Sequence, residues 1–419
     1  MSITYILLSP TFGMHQYTAD LANRMANCEL PIVDSNFGNS ESAIRNPAVH
    51  LVTTTTVPRD RYSEAVTIHT PVTTHGTGFS RAGLSVSGYQ QVLSTICHLP
   101  PEGMVCHVTG VHAWNVPLVY ALRRRGVPVV HTLHDLDPHR GVRFGPLIRL
   151  WNRLIINSGC HLLVHGRRYR DALLVQGVSA ERITCTPMLH GFLSAKRPWP
   201  PAAVGAKGEA KVEAEAAASN YDLNLNLDLS LNLVTTVLFF GRVEAYKGVE
   251  DLLAAWAPAT IGLPRARLII AGPVAQGMRL PALPPGVELH DRRVFDEEAD
   301  ALFRSASLLV LPYRDATQSA LVAAAYAFGV PALVTDAGAL PEYVVPGETG
   351  WIVPAGDGAA LAAALRQALD EPARLRQMGE AGRKWFARQR QEEQTTLAAL
   401  WRRAGTTCPA SPNPGGAAS

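Results

Sequence analysis

Arg242 and Lys247 stand on either side of a short loop in the stretch FFGRVEAYKGVEDLL. An apolar run ends at Phe240, Gly241 turns the chain, and a helix opens at Gly248. Two cations placed where a parallel strand gives way to a helix suit a phosphate or diphosphate, because doubly wound sheets bind ligands at the carboxyl ends of their strands. A pair of solvated loop charges is the plain alternative, and a second anion-binding feature weighs against it. SLLVLPY is another strand-like run, and Asp315, Thr317, Gln318, Ser319 and Ala320 follow it, just before an alanine-rich helix without a single charge. Small polar residues at a helix start leave the backbone amides at 319–322 open toward an anion. Should the two strands be neighbours, both loops face one crevice.

Those loops need a frame. Short apolar runs alternate with longer amphipathic ones along the chain, the pattern of βαβ units and parallel sheets. In the first half the pattern predicts strands over 3–8, 104–108 and 127–131, with helices over 15–25 and 116–125. In the second half it predicts strands over 236–240, 267–271, 307–311 and 331–334, with a helix over 248–256. The expected fold class is α/β, with two Rossmann-like doubly wound domains facing a cleft. Between them, residues 198–233 open with PWPPAA, continue through an Ala/Glu/Lys tract and end in DLNLNLDLSLNL. Its alternation matches a strand template, yet repetition this strict is low complexity, and a mobile interdomain insertion is expected. The expected divisions are 1–197, the insertion 198–233, a second domain 234–383, a helix 384–404 returning to the first domain, and a disordered tail 405–419.

Composition narrows the class. The chain has 419 residues, 47% hydrophobic and 17% charged, enough for two cores. A net charge of +3 does not mark a nucleic-acid binder. The six cysteines form no CxxC pair, so idle thiols in a reducing compartment are expected rather than a disulfide or zinc framework. MSITYILLSPTFG lacks a basic leader region, and no stretch reaches the ~18 apolar residues a membrane span needs, so a soluble cytoplasmic protein is expected. No GxGxxG follows a strand, which speaks against a Rossmann oxidoreductase.

Four segments, in order and spacing, resemble the donor-binding domain of family 4 retaining glycosyltransferases, which have the GT-B fold: GRVEAYKGVEDLLAA, ARLIIAGP, ASLLVLPYRDATQSALVAAAYAFGVPALVTDAGALPE and GETGWIVPAGD. SPTFGMHQYTADLANRMA, CHVTGVHAWN, VVHTLHDLDPH and CTPMLHGF resemble the family's first half more weakly, with one glycine of its usual pair missing. The resemblance implies an acceptor domain in 1–197 and a donor domain in 234–383. Arg242 and Lys247 would neutralise the diphosphate of a UDP- or GDP-linked sugar as the leaving group gains charge. Gly241, Thr317, Gln318, Ser319 and Ala320 would line the donor, and Gly13 would let backbone approach the sugar. His134, beside Asp135, would position the transferred sugar as a donor rather than act as a general base; a satisfied strand-end histidine is the bland alternative. The two glutamates the family carries across this helix start are Ala316 and Ala324 here, leaving Asp315 and Gln318 as the nearest substitutes. No metal and no other cofactor are implied. The setting would be bacterial polysaccharide or glycoconjugate synthesis, on a glycan or lipid-linked acceptor. Two rivals remain: a GT-B binding or scaffold protein that has lost catalysis, and a nucleotide-sugar epimerase on the same fold.

On the acceptor side, His15, Asp135, His139, Arg149 and Arg153 are the candidates. Between Pro138 and Arg170 there are seven arginines and no acid. Within that stretch, GPLIRLWNRLIINSG sets Leu147, Leu150, Trp151 and Leu154 on one helical stripe beside Arg149 and Arg153. Such a helix suits an anionic membrane or a lipid-pyrophosphate acceptor. The plainer reading, which the pattern favours, packs the stripe on the sheet and leaves the arginines solvated. Arg123, Arg124 and Arg125 end a helix, where cations suit the dipole. Trp385 and Phe386 are expected to pack between the domains.

Overall fold

The structure, a computed structural model, describes residues 2–9, 11–27, 47–73, 85–101, 103–136, 145–191, 235–316 and 318–406. The chain divides into two compact units, Met1–Lys196 with Gln389–Ser419, and Arg197–Arg388. The expected insertion 198–233 lies outside the described residues.

The first unit is built on strands β1 (Ser2–Ile6), β2 (Ala48–Thr54), β3 (Val66–Val72), β4 (Met104–Val108), β5 (Val129–Leu133), β6 (His161–Val164) and β7 (Ile183–Cys185). Their order is β3-β2-β1-β4-β5-β6-β7, and every pairing is parallel. All residues of β1, β4 and β5 are buried, which is why these strands read as unbroken runs rather than as alternating polar and apolar positions. Successive side chains still go to opposite layers. Ile3, Tyr5 and Leu7 join the apolar cluster that holds Tyr17 and Leu21 of α1 (Phe12–Ala26), while Ile6 and Leu8 join the one on the other face. That second face is covered by α2 (Val86–Cys97), α3 (Asn115–Arg124) and α4 (Gly145–Asn157), through Val92, Leu118 and Trp151. Helix α5 (Arg167–Val175) connects β6 to β7. The chain reverses its direction of build-out between β1 and β4, so the crevice of this sheet lies beyond their carboxyl ends.

The second unit repeats the plan. It holds β8 (Thr235–Phe240), α6 (Val249–Ala259), β9 (Ala266–Ala271), β10 (Val287–His290), α7 (Asp296–Ser305), β11 (Leu308–Leu311), α8 (Leu321–Phe328), β12 (Ala332–Thr335), β13 (Gly350–Val353) and α9 (Gly358–Asp370). The order β10-β9-β8-β11-β12-β13 is again all parallel, with the reversal between β8 and β11. Those two strands pair directly, Leu308 opposite Val237 and Leu309 opposite Leu238. The two loops singled out in the sequence are therefore neighbours. Helix α8 is buried from Val322 to Phe328, which accounts for its lack of charge.

The last helix departs from expectation. Residues 384–404 are not a separate element: α10 runs unbroken from Pro372 to Thr406, and the division between units falls inside it, after Arg388. The tail expected from 405 is helical for its first two residues. Trp385 packs within the second unit, edge-on to Tyr326 at 5.4 Å and tilted against Tyr343 at 5.9 Å. Further along, Leu397, Leu400 and Trp401 enter the first unit's core, Trp401 edge-on to Tyr5 at 6.3 Å. Arg390 clasps the buried carboxylate of Asp20 through both oxygens, and Arg24 bridges Asp20 to Glu393 at 3.2 and 2.9 Å.

Candidate functional site

Gly241 takes φ = +112° as β8 ends, a value an L side chain adopts only under strain, and the turn aims Arg242 outward. Arg242 is 64% exposed and pairs with Glu244 at 3.3 Å. Lys247 ends the 3-10 turn Ala245–Lys247 and folds back over the loop: a β-carbon built on Gly241 would lie 3.4 Å from its ammonium nitrogen. The Lys247 Nζ also sits 5.4 Å from the ring centre of Tyr313 and 5.9 Å from that of Tyr246. Among the described residues it has no carboxylate within ion-pair distance. Two cations thus share one turn at the reversal point of the sheet, one of them half-buried, which is where doubly wound sheets take their ligands.

The β11 loop is held against this turn by its backbone. The Arg314 and Asp315 amides both donate to the Tyr246 carbonyl, at 2.7 and 3.3 Å. The Arg314 guanidinium grips the start of α6, with Nε and Nη2 on Asp251 at 2.7 and 2.6 Å and Nη1 on Glu250 at 3.2 Å. Gly248 seals the joint. Its φ is +65°, and a β-carbon there would lie 1.9 Å from the Pro312 carbonyl oxygen. Asp315 and Gln318 are half-buried on this loop, Ser319 is buried and Ala320 caps α8. Helix α8 begins later than expected, at Leu321, and the Leu321 amide already donates to Ser319 Oγ at 3.3 Å, so it is not one of the open amides. Ala316 and Ala324 are 6% and 1% exposed. A charged carboxylate at 324 would have to be desolvated, so the local packing suits the alanine found there. Thr317 lies outside the described residues.

The first unit carries the remaining candidates. Gly13 falls inside the first turn of α1 rather than in the turn before it; it is exposed, and nothing lies within 4 Å of where a β-carbon would be. His15 does not face outward as an acceptor contact would. Its ring is buried, its Nδ1 is 2.9 Å from the Tyr62 hydroxyl, and burial, aided by Arg61, pushes its pKa down to about 4. His134 sits at the end of β5 and its Nε2 donates to the Thr109 carbonyl at 2.8 Å. Burial lowers its pKa against the pull of that bond and of Asp135, so the ring is neutral and Nδ1 carries the lone pair. With Nε2 committed to the Thr109 carbonyl, the ring nitrogen left to this tautomer is an acceptor rather than a donor. The Asp135 side chain is exposed, and its carbonyl is held by the Asn152 amide at 2.7 Å. His139 lies outside the described residues.

Sequence reasoning missed the company His134 keeps. The Tyr17 ring meets His134, His165 and His190 edge-on, with centroids 5.0, 5.1 and 5.6 Å away, and His107 and His131 are buried in the strands beside them. Burial takes His190 down to about 4 and His107 and His131 to about 3. The rings ring Tyr17 instead of converging on a point, and among the described residues no group of histidines, cysteines and acids is placed to hold a metal ion. The available signal was a histidine at or just after four successive strands, in CHV, HTLH, VHG and MLHG.

Helix α4 contradicts the plainer reading of its stripe. Trp151 is buried and donates to the His112 carbonyl at 3.1 Å, but Leu147, Leu150 and Leu154 are 44%, 53% and 38% exposed. Arg149 and Arg153 are exposed as well. The helix seats itself on Trp151, Asn152 and Ile155, a narrower face than the stripe. Of the cysteines described, Cys106 and Cys160 are buried, Cys97 is exposed and Cys185 is in between, all as free thiols. No described helix is long and apolar enough to cross a membrane.

Two parallel-sheet α/β units of this strand order have the plan of the GT-B fold. Residues 234–371 match the family described as Glycosyl transferases group 1, and residues 12–188 match the Glycosyl transferase 4-like domain. Together the two matches fit a GT4-type GT-B glycosyltransferase. The D-inositol 3-phosphate glycosyltransferase of Streptomyces avermitilis is 27% identical over 402 residues, covering 88% of this chain and 78% of that one. Among solved structures, Anabaena HepE in complex with UDP has a TM-score of 0.63 at 14% identity, covering 96% of this chain and all of that one. Sucrose-phosphate synthase from Thermosynechococcus elongatus also scores 0.63, at 20% identity, covering 96% of this chain and 98% of that one.

Proposed function

We propose that the chain moves a sugar, with retention of anomeric configuration, from a UDP- or GDP-linked donor to a glycan or lipid-linked acceptor. The observation that carries this reading is the turn where Arg242 and Lys247 meet beside the Asp315–Ala320 loop. As the sugar–phosphate bond breaks, the leaving nucleoside diphosphate gains negative charge, and two preplaced cations stabilise that charge without reorganising. Asp315 holds the sugar in place of the missing acids, Gln318 contributes hydrogen bonds, and His134 accepts from a sugar hydroxyl. No side chain is cast as a general base: the acceptor hydroxyl passes its proton to the leaving phosphate oxygen on the same face. The UDP bound to the Anabaena neighbour favours uridine. The setting is the cytoplasmic side of a membrane, where polysaccharide or glycoconjugate is assembled.

A second reading has an observation of its own: the alanines at 316 and 324 favour a GT-B protein that binds a nucleotide sugar without transferring it. Incubation with UDP- and GDP-sugars and a panel of glycan and lipid-linked acceptors separates the two, with the product's anomeric configuration read by NMR. A retained anomer, formed faster than by Asp315→Asn or Gln318→Ala enzyme, supports transfer. Nucleotide binding with no product on any acceptor supports the second reading, and a changed free sugar without acceptor points to epimerisation.

A further inference from the structure

We infer that the outer face of α4 is a docking surface for an anionic lipid bilayer, an inference that rests on the membrane setting proposed above. The exposed residues of α4 are Pro146, Leu147, Arg149, Leu150, Arg153 and Leu154, with Asn157 at the end. At about 100° per residue they form two bands along the helix. The leucines fall on one flank and the arginines on the other, with Pro146 and Asn157 between.

Three leucines exposed on one helix are uncommon here; among the described residues only five other large hydrophobics are comparably exposed, and they are scattered over other elements. These three keep 38–53% of their surface exposed, although Trp151 and Ile155 on the same helix are fully used by the core. A leucine band beside an arginine band suits an interface in which apolar side chains enter the acyl boundary while guanidinium groups stay with lipid phosphates. The charge on the helix is one-signed: Arg149 and Arg153 are the charged residues of α4, and both are exposed. Arg123, near the C-terminal end of α4, adds to it, since its guanidinium nitrogen lies 2.8 Å from where a β-carbon on Gly159 would sit. A protein partner would need a matching acidic and apolar surface; a bilayer of anionic lipid supplies both in one plane.

The test is co-sedimentation of the full chain with vesicles of phosphatidylcholine alone or with a third of phosphatidylglycerol, alongside Leu150→Ser/Leu154→Ser and Arg149→Gln/Arg153→Gln variants. Binding to the anionic vesicles is expected, falling about tenfold in each variant and weakening with salt in the wild type. Thermal stabilisation by UDP, read in parallel, reports that the second unit is intact. Equal binding by wild type and both variants overturns the inference, as does no binding to anionic vesicles. Self-association in analytical ultracentrifugation that the leucine variant abolishes, without vesicle binding, assigns the face to a second copy of the chain instead. If vesicle binding follows the variants while no donor or product is found, the docking surface stands and the transferase reading falls.

Discussion

Lys247 and Arg242 are both cations on one turn, but their surroundings differ. Lys247 is half-buried over two tyrosine rings, whereas Arg242 is largely in solvent and leans on Glu244. Lys247→Ala should therefore weaken UDP binding more than Arg242→Ala does, by roughly 10- to 100-fold for a lost charge-assisted contact, as measured by calorimetry. Glu244→Gln should strengthen binding about twofold at low salt, because a screened surface pair competes only weakly for Arg242. The cations were legible in the sequence because charge is conspicuous beside an apolar strand. Arg314 was not: its bond to Asp251 exists only because β8 and β11 lie side by side. The tyrosine-centred histidines escaped for the same reason, since each comes from a different strand end.

At the scale of elements, Gly248 joins the α6 turn to the β11 loop. Gly248→Ala places a β-carbon against the Pro312 carbonyl in a left-handed conformation, so either the turn or the loop must move. The expected result is a melting temperature several degrees lower, together with loss of UDP stabilisation, by differential scanning fluorimetry; an unchanged melt would mean the loops tolerate separation. Strands such as β4 and β11 were easy to read, because fully buried parallel strands are continuous apolar runs, whereas β2, β3, β6, β7, β10 and β13 were not predicted. Helix α4 shows what periodicity leaves open. Spacing identifies a stripe, but how much of it the sheet accepts depends on Trp151 and Asn152 filling the seat first.

Across the whole molecule, ionisable groups are unevenly shared. Every histidine but His290 falls within the first 196 residues, and His15, His107 and His131 are among those that are buried. Their folded pKa values lie below the unfolded value near 6.5, at about 4 for His15 and His190 and about 3 for His107 and His131. The unfolded chain thus binds more protons as pH falls, so stability is fully present above pH 6.5 and is lost on going down toward 4. Each such group contributes up to about 1.4 kcal/mol per pH unit in that window. Asp20 acts in the same direction at lower pH: burial pushes its carboxyl up, but Arg390 and Arg24 hold it below its ordinary value. Hydrogen exchange at pH 7.5 and 5 should show β4, β5 and β6 losing protection while β8, β9 and β11 keep theirs; equal loss in both units would contradict this. The two-unit plan was legible from alternating runs, and the exact hand-over inside α10 was not, because a helix that serves two cores in turn has no break in its own pattern.

The central claim is that the Arg242–Lys247 turn binds the diphosphate of a nucleotide sugar. The most direct measurement is thermal stabilisation by UDP, GDP and ADP of the wild type and of the Arg242→Ala/Lys247→Ala double variant. A ligand well above its dissociation constant raises the melt by mass action. The prediction is a shift with UDP or GDP in the wild type and none in the variant. A shift of equal size in both proteins, or none in either with any nucleotide, would contradict it.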